Sequence, residues 1–391
     1  MAKISKDIVY IGVDDADITL FEGQYHVPDG MCYNSYLIND EQTVIMDTVD
    51  ERKADEWKSN LQNALNGRTP DYLVVHHMEP DHSSLIDWVM NEYPKTTVIC
   101  TGAAFKMIPL YYPNCSWTNR VKTVKEGEEL NTGVHTLKFI AAPLVHWPEV
   151  MMTYDATDKV LFSADGFGKF GVIDAEADDW SCEARRYYFN ICGKYGVQVQ
   201  NVLKKAENLD IQTICPLHGP ILIGEKMAEA IRLYSIWSNY DVETPGVFIA
   251  YASMHGNTEK AVQLLAEELK AQGAQKVSLS NLCADDMAEA VEDAFRMGAL
   301  VVACPTYDGD IMPVMHDFIQ HLKMKQYQKR RVGFLENGSW APQAARIMYT
   351  LFEQMKDIEL VEEKVTIRGA VKETDIPALK ELAHDMINLY K

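Results

Sequence analysis

His77-Met78-Glu79-Pro80-Asp81-His82 gathers four metal-ligating side chains into six residues, directly after the apolar run Tyr72–Val75. An imidazole offers one lone pair and a carboxylate offers charged oxygens, so the mixture can hold a cation that needs both. Side chains two apart on an extended segment point the same way, which lets His77, Glu79 and Asp81 converge beyond the strand end. Pro80 favours that extended geometry in its predecessor. The plainer alternative is a polar loop in which Asp81 or Ser83 caps a helix from Ser84. Three distant residues shift the balance. His146 in Pro-Leu-Val-His-Trp-Pro, Asp165 in Phe-Ser-Ala-Asp-Gly and His218 in Cys-Pro-Leu-His-Gly-Pro each follow an apolar run and enter a turn marked by Gly or Pro. One such residue is usually a satisfied turn residue, but a set of them at strand ends describes a site. Three carboxylates and at least three histidines can hold two metals, with Asp165 as the natural bridge. Metals about 3.5–4 Å apart can share one small substrate.

A second constellation lies downstream. Ser253-Met254-His255-Gly256-Asn257-Thr258 stands between an apolar run, Val247–Tyr251, and a helical pattern, Thr258–Gln272. Backbone N–H groups at a helix N-terminus, with small hydroxyls beside them, form an anion site. The loop has no Walker A lysine, which suits a phosphate that is held and never transferred, and no G-x-G-x-x-G, which counts against a dinucleotide site of the Rossmann type. Alone it reads as an ordinary capped turn. Two more loops, Pro305-Thr306-Tyr307-Asp308-Gly309-Asp310 and Asn337-Gly338-Ser339-Trp340, follow apolar runs at Leu300–Cys304 and Arg331–Leu335. Loops at the carboxyl ends of strands are where open α/β sheets bind ligands. Tyr307 and Trp340 can flank a flat ring, or simply pack their own loops.

The elements that must position these residues differ along the chain. From Tyr33 to Asp47 two apolar runs around Asn39-Asp40-Glu41 read as a hairpin. Short runs recur at Tyr72–His76, Thr97–Cys100, Leu137–Ile140 and Val160–Phe162, with helical patterns at Glu51–Leu65 and Ser84–Tyr93. This is an α+β region. After a helix-like stretch from Gly224 to Tyr240, the segment Asp241–Gly246 reads as a linker. Strand and helix patterns then alternate through Pro313–Leu322 and Ala341–Met355, as in a doubly wound parallel sheet. We expect two domains, residues 1–244 and 245–391.

Composition bounds the function. At 391 residues, 47% hydrophobic and 24% charged, the chain can bury two cores. A net charge of −20 argues against nucleic acid, whose phosphates demand Lys and Arg. No apolar leader or run long enough to span a bilayer is present, so no membrane role is expected. The eight cysteines form no C-x-x-C pair, which disfavours a rubredoxin-type centre within the chain, and scattered single thiols point to a cytoplasmic location.

The order and context of the metal-ligating residues resemble the metallo-β-lactamase fold, an αββα sandwich with ligands on loops at one edge. Its hydrolytic members carry His-x-His-x-Asp-His, whereas here Glu79 replaces the second imidazole. A harder, anionic ligand favours non-haem iron over zinc. The three downstream loops resemble flavodoxin, a doubly wound parallel sheet, and that resemblance implies FMN. Joined in one chain, the two halves resemble the flavodiiron proteins. The resemblance implies that His77, Glu79 and His146 bind one iron, that Asp81 and His218 bind the other, and that Asp165 bridges. His82 matches a position that ligates iron in some members and is displaced by water in others. Tyr195 matches a pocket tyrosine near the irons. Asn337-Gly338-Ser339-Trp340-Ala341 departs from the Phe-Gly-Ser-Tyr-Gly-Trp form of other members. The family implies reduction of O₂ to water or NO to N₂O, with electrons from rubredoxin, a deazaflavin or a separate reductase. It also implies a head-to-tail homodimer or a dimer of dimers. Two rivals stand beside this reading: a zinc hydrolase with an accessory flavodoxin module, and a non-enzymatic electron carrier on a decayed metal domain.

Overall fold

Short apolar runs in the N-terminal half pair into two six-stranded sheets in a computed structural model that describes residues 3–175 and 179–387. The first sheet runs in the order Ile8–Tyr10, Tyr36–Asn39, Thr43–Met46, Tyr72–Val74, Thr97–Thr101 and Val121–Val124. The second runs Glu129–Asn131, Thr136–Ala141, Met151–Asp155, Val160–Phe162, Thr213–Cys215 and Leu222–Ile223. Alternate residues of the two sheets meet in one core: Tyr36, Ile38, Val44, Met46, Val74 and Ile99 face Leu137, Phe139, Met151, Val160, Phe162 and Cys215. Helices Ala54–Leu65, Gly102–Tyr111, Trp180–Ile191, Gly196–Ala206 and Gly224–Ser238 accompany the sheets. This is the sandwich expected from the metal-ligand pattern.

The pairing explains why ligands from distant segments meet. Strand Tyr72–Val74 lies parallel to Thr43–Met46 and to Thr97–Thr101, so its carboxyl end shares an edge with theirs. In the second sheet Val160–Phe162 runs parallel to Thr213–Cys215, with Phe162 opposite Cys215. Asp165 and His218 each follow by three residues and therefore emerge side by side. His146 lies in the connection between the antiparallel strands Thr136–Ala141 and Met151–Asp155. The Met151 N–H donates to the His76 carbonyl at 3.1 Å, which ties that connection to the first sheet.

The C-terminal part forms a fully parallel five-stranded sheet in the order Val277–Asn281, Thr244–Tyr251, Met297–Pro305, Arg330–Asn337, Ile358–Ile367. Its middle strand is buried at every residue, as befits a strand covered on both faces. One face packs on helices Asn257–Ala271 and Ile376–Ile387 through Val262, Leu265, Leu269, Leu382 and Met386. This is the flavodoxin-like order, with its switch point between the first and third strands. The two strands that the sequence pattern did not reveal, Val277–Asn281 and Ile358–Ile367, are the two edges. Their burial is patchy because one side of an edge strand has no neighbour, so Glu362, Glu363 and Lys364 interrupt the apolar alternation. The stretch read as a linker already enters the sheet at Thr244, which pairs with Met297. The described residues divide into two units, one reaching Tyr188 and including Val197–Ser235, the other comprising Phe189–Gly196 and everything from Ile236. No helix among the described residues is long and apolar enough to cross a membrane.

Candidate functional site

Glu79 is the last extended residue of its loop, because Pro80 starts a helical turn over Pro80–Ser83 with its ring at the first helical position. The turn corrects the expectation that His77, Glu79 and Asp81 converge on one spot. His77 and Glu79 stay on one side, and the helical twist carries Asp81 and His82 to the other. His77 Nε2 lies 3.0 Å from Glu79 Oε2, and His146 Nε2 lies 3.1 Å from the same oxygen. On the other side Asp81 Oδ2 is 3.2 Å from His218 Nε2 and 3.4 Å from His82 Nε2. Two triads result, His77/Glu79/His146 and Asp81/His82/His218. Neither Asp81 nor Ser83 caps the next helix: it begins at Ile86 behind Leu85 with no side-chain cap, and the Ser83 hydroxyl donates to the Met78 carbonyl.

Asp165 stands between the triads and splits its carboxylate. Oδ2 is 3.4 Å from His77 and 3.6 Å from His146, while Oδ1 is 3.6 Å from His218 and 3.9 Å from His82. Asp165 Oδ2 and Asp81 Oδ1 are buried without a hydrogen-bond partner. A buried carboxylate oxygen left unmatched is costly, and a cation is what matches it. Three carboxylates among four imidazoles, with one carboxylate reaching both groups, fit a pair of oxophilic metals such as iron.

The protein's own charges press in the same direction. Burial alone lowers the His77 pKa, but Asp165, Glu149 and Glu79 outweigh it and hold the imidazole well above its ordinary value. Burial raises the Glu79 pKa, but His146 and His77 hold the carboxyl well below the usual range. His82 is pushed well down by burial and by the imidazoles of His218 and His77. Protons held between facing donors are those a bound cation displaces.

An outer layer orients the inner one. Glu149 accepts from His77 Nδ1 at 2.8 Å and from the Met78 N–H at 2.9 Å, which leaves His77 Nε2 facing the triad. His218 Nδ1 donates to the Cys32 carbonyl at 2.7 Å. The Tyr187 hydroxyl reaches Asp165 Oδ1 at 3.2 Å. Tyr195, the tyrosine expected here, lies in the short turn Gly193–Tyr195 of the second unit, its ring 5.6 Å from the Lys194 ammonium. Within the first unit the Tyr187 hydroxyl reaches the cluster, and the Tyr33 ring packs edge-on against His82 and His218. Trp147 and Pro148 beside Glu149 hinted at a built turn, but nothing in the local pattern singled out Glu149 or Tyr187.

In the second unit the three loops line one cleft of about 210 Å³. Ser253, Met254, His255, Asn257 and Thr258 come from the first, Pro305, Thr306, Asp308 and Gly309 from the second, and Asn337, Gly338, Ser339 and Trp340 from the third. Gly256 stands just behind the lining at φ +80°, the left-handed turn that starts helix Asn257–Ala271. The Ser253 hydroxyl accepts the N–H groups of Gly256 and Glu259. First-turn N–H groups of the helix remain for an anion. Tyr307 lies outside the lining and is 42% exposed; Trp340 is on it and 75% exposed. Gly369, after the edge strand Ile358–Ile367, supplies a fourth wall that the sequence reading lacked. Asn337 clamps it by exchanging hydrogen bonds with the Gly369 N–H and carbonyl at 3.0 and 2.9 Å. A cleft whose lining combines small hydroxyls, first-turn N–H groups and an exposed indole fits a flavin mononucleotide.

A family profile described as ODP family beta lactamase matches residues 31–219, and one described as flavodoxin domain matches residues 248–388. A nitric oxide reductase of Moorella thermoacetica is 30% identical over 390 residues, covering 97% of this chain and 96% of the relative. The structure of rubredoxin oxygen:oxidoreductase from Desulfovibrio gigas aligns with a TM-score of 0.93 at 25% identity, over 99% of this chain and 98% of that one. The flavodiiron protein of Giardia intestinalis aligns with a TM-score of 0.92 at 24% identity, over 98% and 95%, which speaks to the fold.

Proposed function

The chain belongs to the flavodiiron proteins, and from that premise we propose that it is an oxidoreductase reducing O₂ to water, NO to N₂O, or both. The observation that carries the reading is the Asp165 carboxylate, one oxygen toward each triad. His77, Glu79 and His146 would hold one iron, Asp81, His82 and His218 the other, and Asp165 both. The cleft of the second unit would hold FMN. When bound, two ferrous ions and a reduced flavin supply the four electrons that O₂ reduction to water consumes.

The residues of the chain do the rest. Glu149 and the Cys32 carbonyl fix the imidazole orientations before any ligand arrives, so little reorganisation is left for binding. The Tyr187 hydroxyl holds its proton against Asp165 Oδ1. His77, His82 and His218 are shut away from water, while Glu79 and His146 keep side-chain exposures of 17% and 10%. Asp81 in the other triad keeps a side-chain exposure of 10% as well, so solvent protons would reach the centre past Glu79, His146 and Asp81. A rubredoxin-type donor is the proposed source of electrons, in keeping with the name of the Desulfovibrio gigas protein. A head-to-tail homodimer is the proposed assembly. Eight unbridged cysteines support a cytoplasmic location.

The test is anaerobic reduction of the iron- and FMN-loaded protein, followed by paired turnover with O₂ and NO. Consumption of either gas is the expected result. Zinc in place of iron on metal analysis, or no turnover of either gas, would reject the proposal.

A further inference from the structure

Asp47 and Thr48 follow strand Thr43–Met46 and turn away from it, Asp47 at φ +57° in the left-handed region that aspartate tolerates. The Asp47 N–H still donates to the Val74 carbonyl at 2.9 Å, which keeps the corner beside the strand leading into the metal-ligand loop. Ser35, just before strand Tyr36–Asn39, fixes the corner by donating its hydroxyl to the Asp47 carbonyl at 2.8 Å. Asp47 then grips the start of the loop. Its Oδ1 accepts the His76 N–H at 2.7 Å, and its Oδ2 meets His76 Nδ1. The far nitrogen of the same ring, Nε2, lies 2.7 Å from the Thr153 hydroxyl. Both ring nitrogens of His76 are therefore engaged, and neither is left to ligate a metal. Thr48 grips the end of the loop. Its N–H and its hydroxyl both donate to the His82 carbonyl, at 3.0 and 2.8 Å, and the hydroxyl accepts the Leu85 N–H at 3.3 Å.

Two adjacent residues thus hold both ends of His76–His82, and the ends serve different triads. His77 follows His76 directly, while His82 is itself part of the second triad. His76 reaches further. Its carbonyl takes the Met151 N–H and its ring meets Thr153, both in the strand that follows the His146 connection. The Asp47–His76 pair therefore ties together the segments that carry His77 and His146. Asp47, Thr48, His76 and Thr153 are each at most 1% exposed, so water does not compete for these bonds. The loop needs such a frame because it changes from extended to helical at Pro80. A shift at either end would alter the distance between the triads.

We propose, resting on the two-metal reading of that centre, that Asp47 and Thr48 are positioning residues for it. Asp47, through His76, sets the His77/Glu79/His146 triad, and Thr48 sets the Asp81/His82/His218 triad. One corner behind the loop thereby fixes the spacing of the triads, and each of its two residues governs one metal. Groups that orient ligands in this way are worth roughly 10–100-fold in metal affinity.

The experiment titrates ferrous iron anaerobically into the metal-free protein and locates it by iron anomalous scattering in crystals grown at limiting iron. Thr48→Val removes the hydroxyl and keeps the shape. It is expected to weaken the Asp81/His82/His218 site roughly tenfold and leave the other site at parental affinity. Thr48→Ser, which returns the hydroxyl, should restore the loss. Asp47→Asn sets an amide NH₂ against His76 Nδ1 and is expected to weaken only the His77/Glu79/His146 site, by a similar factor. Should Asp47→Asn fail to fold, Thr153→Val tests the same chain of bonds from its far end, with the same site expected to weaken. A general loss of stability would lower both sites alike or neither, so the selective pattern is the readout. Parental affinity at both sites, or an equal loss at both, overturns the proposal. A parent protein that binds fewer than two irons would instead overturn the two-metal reading itself, so the two failures are separable.

Discussion

Replacing Glu149 by glutamine keeps the shape of the side chain and removes its charge. In the native structure one oxygen, Oε1, takes both the His77 Nδ1–H and the Met78 N–H, and Oε2 is buried with no partner. The amide can keep its carbonyl at Oε1, so both bonds survive in form, but they become neutral bonds. Bonds to a charged acceptor are worth about 1.5–3 kcal/mol against about 1 kcal/mol for neutral ones. The amide NH₂ then occupies the place of Oε2, where two donors face a buried surface with nothing to accept them. Less negative charge behind His77 also makes its Nε2 a weaker ligand. Together these losses correspond to a roughly 10–100-fold fall in affinity for the metal at the His77/Glu79/His146 triad, the range known for such outer-layer partners. The Asp81/His82/His218 triad draws its orientation from the Cys32 carbonyl and should keep its affinity. The assay is anaerobic titration of ferrous iron into metal-free protein, by calorimetry or against a competing chelator. The parent should bind two irons, and Glu149→Gln should show one parental and one weakened site. Two sites of parental affinity, or an equal loss at both, would refute the assignment of Glu149 as the group that orients His77.

Three further outcomes follow from local geometry. Asp40 is 8% exposed and its carboxyl is held at about 2: burial pushes it up, but the N–H groups of His135, Val134 and Glu41 and the Thr132 hydroxyl more than compensate. A pKa lowered on folding stabilises the protein above the unfolded value of 3.8 and ceases to do so as pH falls to about 2. Asp40→Asn should therefore cost about 2 kcal/mol in urea unfolding at neutral pH and little near pH 2, and an equal cost at both would contradict the linkage. Tyr187→Phe should weaken iron binding by roughly tenfold, through loss of the hydroxyl on Asp165, while Tyr195→Phe leaves affinity unchanged; chelator competition on both variants checks the contrast. Trp340→Ala, at a 75% exposed position, should shift thermal stability of the flavin-free protein by no more than about 0.5 kcal/mol yet raise the FMN dissociation constant; unaltered flavin affinity would show that the indole does not cover the ring.

The six-residue loop from His77 to His82 announced its chemistry because ligand type is a property of the residue. His146, Asp165 and His218, each standing where an apolar run stops, come within ion-pair reach of that loop's side chains. The central strands of the second unit were legible for a related reason. Residues buried on both faces, as in Met297–Pro305, must be apolar throughout. Edge strands carry no such requirement, so Val277–Asn281 and Ile358–Ile367 left little trace, and with the latter went Gly369. The partition of ligands was implied by the family resemblance but was not legible in the local pattern. A two-residue period sends Glu79 and Asp81 to one place, but Pro80 opens a helical turn between them and sends them to different triads. Nor could the pattern select Glu149 or Tyr187, whose roles depend on a strand connection and a helix arriving from elsewhere in the chain. What the residues carry individually is donor chemistry and burial preference, both local. Which donors face each other, and which tyrosine stands behind the bridging carboxylate, are set by strand register and helix packing between segments far apart in sequence, where no local pattern can record them.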